Sequence, residues 1–354
     1  MGNWYTTRAA VKAALSIDST GRDAVIDDAI ESASREIDAL CNLPPKGLFI
    51  PQAATLNYPW PAPDGRRVYV LPLDTPLLSV SALTKEGDDV TAIAAADFFL
   101  EPSTLGPPYW WIEIDQASSA FFGAKDTHQR AIRITGSWGQ GNATKSASQL
   151  GAILSSTTAT SIQLVAGNLL DVGNTILVET EQMFVRGKGD VDLGVNLTDA
   201  LTADVTDTSL TIADPTDDLV VGEVVRVDSE RMLVTAKNSA TSYEIQRAYD
   251  GTTLASHTNT ADIYAFRQFD VDRGVNGTTA ATHADDTAIN KYDPPADVQQ
   301  LCRALALAYY TQGTGGWTGA VGAGEGATEI RGLALADLRK RVIAKHRITT
   351  IGAV

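Results

Sequence analysis

The chain has 354 residues, 44% of them hydrophobic and 20% charged, and a formal net charge of −15. That length exceeds what one hydrophobic core usually fills, so two or three domains are expected, and the composition excludes a disordered chain. No apolar run reaches the roughly 18 residues that span a bilayer, and the first residues lack the apolar stretch and small-residue cleavage site of a secretory leader.

Thr6 or Thr7 is placed to cap a short helix to about Ile17, with Ala10, Val11, Ala14 and Leu15 on one side. The stretch 23–41 puts Ile26, Ile30, Ala33, Ile37 and Leu40 at helical spacing. Its other face carries Asp27, Asp28, Glu31, Arg35 and Asp38, which reads as a solvated or interface face. Asn42 and the Pro44-Pro45 pair stop that helix. From Gln52 to Gly139 the period shifts towards two. Strands are expected at 54–58, 67–71, 78–85, 110–114 and 131–136, split by turns at Pro63-Asp64-Gly65 and Glu86-Gly87-Asp88. The stretch 139–148 reads as a polar connector.

An internal repeat follows. The stretches 160–185 and 208–234 each run an apolar strand, a turn, a Gly (Gly173, Gly222), a second strand, then a Glu two before a Met (Glu181 and Met183; Glu230 and Met232). The second copy closes at once with RAYDGTTLASHTNTADIY, 247–264. The closing that matches the first copy, RGVNGTTAATHADDTAINKY at 273–292, arrives only afterwards. The simplest expectation is a small β-module inserted inside another of its own kind, the pair interrupting a different domain. The expected boundaries are 1–146 and 293–312 for the outer domain, 147–187 and 268–292 for one module, and 188–267 for the nested one. Residues 147–292 carry 21 Asp and Glu against 9 Lys and Arg, leaving a net of −3 for the rest. So acidic a surface argues against nucleic-acid binding through the repeats.

At 293–297 the prolines and Asp297 open a helix whose apolar face is Val298, Leu301, Cys302, Leu305 and Tyr309, ending near Thr311. The glycine-dense 313–328 reads as a linker: it lacks G-K-[S/T] and follows a helix rather than a strand. A last helix, 329–346, carries Leu333, Leu335, Leu338, Val342 and Ile343, with six Lys or Arg and one acid, Asp337, between Arg331 and Arg347.

Residues that could carry chemistry are few. His257 and His283 hold equivalent places in the two closings, as Glu181 and Glu230 do in the two openings, so structural roles are expected, with a cation site at the glutamates as the residual reading. His128 and His346 have no nucleophile motif near them, and Cys41 and Cys302 stand alone. No active site assembles, so neither enzymatic activity nor a metal or cofactor is expected.

Read without its insertion, the chain resembles the head–tail connector, or adaptor, proteins of long-tailed bacteriophages. The resemblance rests on AVIDDAIESASREIDALCN, VYVLPLDTPLLSVSALTKEGDDV (68–90), AIRITGSWGQG (131–141) and DPPADVQQLCRALALAYY, in that order, over 1–142 and 293–354. The repeats resemble small β-modules of other phage structural proteins. The resemblance implies an α+β fold: a helical connector domain with a small antiparallel sheet, interrupted by two nested all-β modules. It implies a ring of about a dozen subunits in the virion neck, assembled in the host cytoplasm, between the portal and a stopper or tail-completion protein. DNA would pass through without specific binding, and no membrane would be involved; another virion component (stopper, tail or decoration protein) is the alternative. The expected portal or subunit interface is the basic helix, with Arg331, Leu335, Leu338, Arg339, Lys340, Arg341, Val342, Ile343, Lys345 and Arg347. A second expected interface is the helix face of Asp27, Glu31, Arg35 and Asp38.

Overall fold

The computed structural model describes residues 2–44, 47–61, 68–87, 91–213, 219–314 and 332–348. Among these the chain is mixed α and β, with four helices and two antiparallel sheets. The Pro63-Asp64-Gly65 turn, most of the glycine-dense stretch and Arg331 lie outside the described residues. None of the described helices is long and apolar enough to cross a membrane.

The body is built from both ends of the chain. Helix α1 (Arg8–Leu15) starts where the Thr7 hydroxyl accepts from the Ala10 amide, and stops at Ser16 in the left-handed region. Helix α2 (Asp23–Leu40) buries Ile26, Ile30, Ala33 and Ile37, the stripe its spacing foretells. A five-stranded sheet follows, formed by β1 (Gln52–Tyr58), β2 (Val70–Thr84), β3 (Phe98–Glu101), β4 (Tyr109–Ile114) and β5 (Ile132–Trp138), in the order β1-β5-β2-β4-β3. Two separately expected strands are one: β2 runs on through Pro72 and Pro76. Its pairing with β4 breaks register between Pro72 and Leu77, so Pro76 falls within the break and Pro72, opposite Trp111, at its margin. Strand β3, four residues long with three of them apolar in a row, is too short to show a period in the sequence. Helices α3 (Ala296–Thr314) and α4 (Gly332–His346) return to this sheet. Val11, Ile30, Ile37, Leu77, Ile134, Leu301, Leu305 and Val342 share one buried cluster.

The repeat region forms a ten-stranded sheet. Its strands are β6 (Thr144–Gln149), β7 (Ser161–Gln163), β8 (Thr175–Val178), β9 (Glu181–Asn196), β10 (Ser209–Thr211), β11 (Val224–Val227), β12 (Glu230–Lys237), β13 (Ser242–Tyr249), β14 (Asp262–Asp272) and β15 (Ala288–Tyr292). The main path is β10-β13-β12-β11-β14-β9-β8-β15-β6, with β7 on β14. The supposed connector before the repeats is thus strand β6, polar because it is an edge. Two apolar clusters lie along the sheet. One holds Leu150, Leu164, Ile176, Met183, Phe269 and Ile289; the other holds Leu197, Ile212, Val225, Met232, Tyr243 and Ile263. Each draws on one copy of the repeat. The copies share two strands, however. Strand β9 leaves the first copy and enters the second without a break, and β14 makes the return journey, with Lys188 opposite Phe269 and Val191 opposite Ala265.

The repeat region is clamped to the body by the N-terminal segment. Trp4 meets Phe184 edge-on at 5.4 Å, and Gly173, at φ 102°, leaves room for the indole where a Cβ would lie 2.6 Å from it. Asn3 and Asn276 exchange amide hydrogen bonds of 3.2 and 2.9 Å, and the Gln182 side chain joins Asn276 to the Pro51 carbonyl. The second copy touches the body through Lys12, 2.9 Å from Asp250, and through Gly251, packed on the Asp18 carbonyl. Trp4→Ala is expected to cost about 3–5 kcal/mol in a urea melt. Faster amide exchange should appear at 172–184. A loss below about 1 kcal/mol would show that the clamp does not rest on this ring.

Candidate functional site

Each repeat copy is built around a buried carboxylate. Strands β8 and β9 are joined by Glu179-Thr180, and β11 and β12 by Asp228-Ser229, with Glu179 and Asp228 at positive φ. The next residue, Glu181 or Glu230, opens the following strand with no exposed surface. Glu181 accepts from Arg273 Nε and Nη2 at 2.7 Å each, from the amides of Gly274 and Ala281 at 3.0 Å each, and contacts His283 Nε2 at 2.9 Å. Glu230 has the same set: Arg247 Nε and Nη2 at 2.9 Å each, the amides of Ala248 and Ala255 at 2.8 and 3.0 Å, and His257 Nε2 at 2.9 Å. The second ring nitrogen faces Glu179 in one copy and Asp228 in the other, at 2.8 Å each. Left-over arginine donors go to carbonyls, Ser156 in the first copy and Thr202 and Asp207 in the second.

This arrangement explains why the repeat keeps these residues. A buried carboxylate is tolerable only when its charge and lone pairs are all met, and here each is. Both glutamates are held down to about 2. Burial works against the charge, and the arginine, histidine and amide hydrogen bonds outweigh it. The residual cation reading therefore has no room, since both carboxylates are fully engaged by protein donors. Among the described residues no group of three or more His, Cys, Asp or Glu side chains could hold a metal ion. The sequence signal for the arginine partners was present, because each closing begins with Arg.

A third buried carboxylate, Glu223, carries no signal in the repeat. It takes Arg267 Nε and Nη2 at 2.7 and 3.0 Å and the amides of Gly167 and Val220. Gly167 belongs to the first copy and Glu223 to the second, so this pair pins the copies together. The first copy has Asn174 at the matching place, so repeat symmetry could not reveal it.

The face of α2 expected as an interface is engaged from within the chain, with Asp38 buried and Asp27, Glu31 and Arg35 half-buried. Arg8 bridges to Asp27 at 2.8 Å, Trp4 Nε1 donates to Glu31, and Arg35 reaches Asp38 at 2.8 Å and the Asn3 carbonyl. Asp38 is 2% exposed beneath the Tyr5 hydroxyl, and burial pushes it up to about 7 against the pull of Arg35 and Tyr5. Spacing cannot tell a solvated charged stripe from one covered by a segment that carries the complementary donors, and residues 2–8 are such a segment.

The basic helix α4 is likewise seated on its own body. Leu338 and Val342 are buried, and Leu335 and Ile343 half-buried. His346 lies 3.0 Å from Asp297 and edge-on to Phe49, Arg339 pairs with Glu36, and Asn42 holds the Ile348 carbonyl. The apolar stripe thus has its partner in α3 and the body, and is no free docking face. Lys340, Arg341, Lys345 and Arg347 stay exposed.

Comparisons with protein-family models, with curated proteins and with solved structures returned no match.

Two measurements test the carboxylate clusters. Glu230→Gln or Glu181→Gln leaves a buried arginine without its counter-charge and is expected to cost about 3–5 kcal/mol. Because both glutamates are depressed in the folded state, their stabilising contribution is present above about 4.5 and lost as pH falls towards about 2. A circular-dichroism acid titration should therefore show stability draining away across that window, with a smaller pH-dependent loss in Glu230→Gln. Equal slopes in the two proteins would rule out this source of acid sensitivity.

Proposed function

We propose that the chain is a structural protein of the head–tail neck of a long-tailed bacteriophage, forming a ring between the portal and the stopper or tail and extending the DNA channel. The observation that carries this reading is the reunion of two distant stretches. The phrases that resemble the connector family lie in 1–142 and 293–354, and residues from both meet in one hydrophobic core. A ring of this kind is heterologous, each copy presenting one surface to the next and a different one to the previous. The exposed basic residues of α4 (Lys340, Arg341, Lys345 and Arg347) are the surface we assign to the portal or the neighbouring subunit.

We propose further that 144–292 is one β-module with a second copy of itself nested inside. The support is the match between the carboxylate clusters, residue for residue, and the separate apolar cluster of each copy. We assign the modules to the outside of the ring, away from DNA; the support is that they are acidic while the body carries little net charge.

Native mass spectrometry and electron microscopy of the purified chain, alone and with its portal, test the first proposal. The expected result is a closed ring that binds the portal, weakened at least tenfold when Lys340, Arg341 and Arg347 are changed to Glu. A monomer that ignores the portal would sink it, and binding to a tail protein instead would move the chain along the neck. For the nesting, replacing 190–266 by a two-residue turn should leave the first copy folded, with the His283 resonances retained. Their collapse would mean that the copies form one inseparable sheet.

A further inference from the structure

A cleft of about 650 Å³ lies between the body and the first repeat copy. Its walls are the N-terminal segment, the start of α1, the loop before β8, strands β6 and β15, and the first turns of α3. Three cations line it: Lys145, Lys291 and Arg303. Lys145 and Lys291 stand directly opposite each other on β6 and β15, and a like-charge cross-strand pair opposes folding. Lys145 is drawn to Asp293 at 2.8 Å. Lys291 donates to a backbone oxygen, the Leu169 carbonyl, at 2.5 Å. Burial first, and then the charge of Lys145, holds the Lys291 ammonium below the usual lysine range. Arg303 is exposed and has no partner among the described residues. The other acid of the cleft, Asp171, is engaged by the Ala9 amide.

The second repeat copy supplies an internal control. Counting from the matched histidines, Ile289 corresponds to Ile263, both fully buried, and Lys291 corresponds to Ala265. The cross-strand partner of Ala265 is Val191. The same fold is therefore satisfied by an apolar pair where the first copy places two lysines. The lysines are not a demand of the module, and they occur in the copy that borders the cleft. Ala296, at the start of α3, also lines the cleft, and the helix dipole there favours negative charge, part of which Asp297 of the same turn supplies.

We propose that this cleft is a binding site for a small phosphate-type oxyanion, held among Lys145, Lys291 and Arg303. Its volume falls within the roughly 300–1,000 Å³ typical of small-ligand pockets. Asp293 offsets part of the repulsion between the two lysines, and a bound dianion would offset what remains. This site is independent of the ring proposal, and neither fails with the other.

The test is calorimetric titration of the full chain with inorganic phosphate and with pyrophosphate at low ionic strength. Saturable binding at one site per chain is expected. It should weaken roughly tenfold or more in Lys291→Met and in Arg303→Met, and stay unchanged in Lys340→Met, which lies outside the cleft. Phosphate should also raise the melting temperature of the parent chain but not that of Lys291→Met. No saturable binding, or equal weakening by Lys340→Met, would overturn the proposal and leave only diffuse charge screening. Should Lys291→Met fail to fold, Arg303→Met decides alone, since that side chain is exposed and supports nothing else.

Discussion

Everything in the repeat region depends on bringing a carboxylate indoors. Glu181 and Glu230 cannot be buried singly; each requires an arginine, a histidine and two amides converging from separate parts of the chain. That requirement fixes geometry more tightly than apolar packing does, because hydrophobic contacts tolerate sliding and a five-donor shell does not. The apolar residues fill space around the cluster, and the cluster sets where the closing segment must lie against the opening one. In the first copy the partners are 92 residues apart, so the shell also ties distant parts of the repeat region together.

Much of this was legible in advance, for identifiable reasons. The two glutamates and two histidines were readable as structural because a repeat exposes what the fold needs in both copies. The apolar stripes of α2 and α3 followed from their period. What escaped was whatever depends on contacts between segments far apart in sequence. The charged face of α2 looks solvated until Arg8, Trp4 and Asn3 are found lying across it. The stripe of α4 looks unpartnered until α3 and Phe49 are beside it. Glu223 and Arg267 belong to the junction between copies and obey no repeat. Strands β9 and β14 fuse what the sequence divides at 187 and 267, because an antiparallel pair can cross a module boundary without a turn.

The two repeat copies also differ in how they meet the body. The cluster is common to both, while the face turned to the body differs. Asn276, Gln182 and Phe184 in the first copy, which meet Asn3, Pro51 and Trp4, stand where the second has Asp250, Arg231 and Leu233. One attachment is therefore made by a buried amide network and an aromatic edge. The other is made by a partly exposed ion pair, Lys12 with Asp250, whose carboxylate is also held by Arg231 of the same copy. The first resists salt and the second is screened by it, so the copies are held with different firmness.

Strands β6 and β15 pair so that Thr144 lies opposite Tyr292. The chain thus leaves the body and comes back to it at neighbouring points. For a folding polypeptide this matters. Joining α3 to the β1–β5 sheet would otherwise mean closing a loop of about 150 residues, whose entropic cost grows as (3/2)RT ln n. Once the repeat region has folded, that loop behaves as a hairpin, and the saving is roughly 3–4 kcal/mol. The acidic repeat region thus brings the two stretches of chain that form the body together.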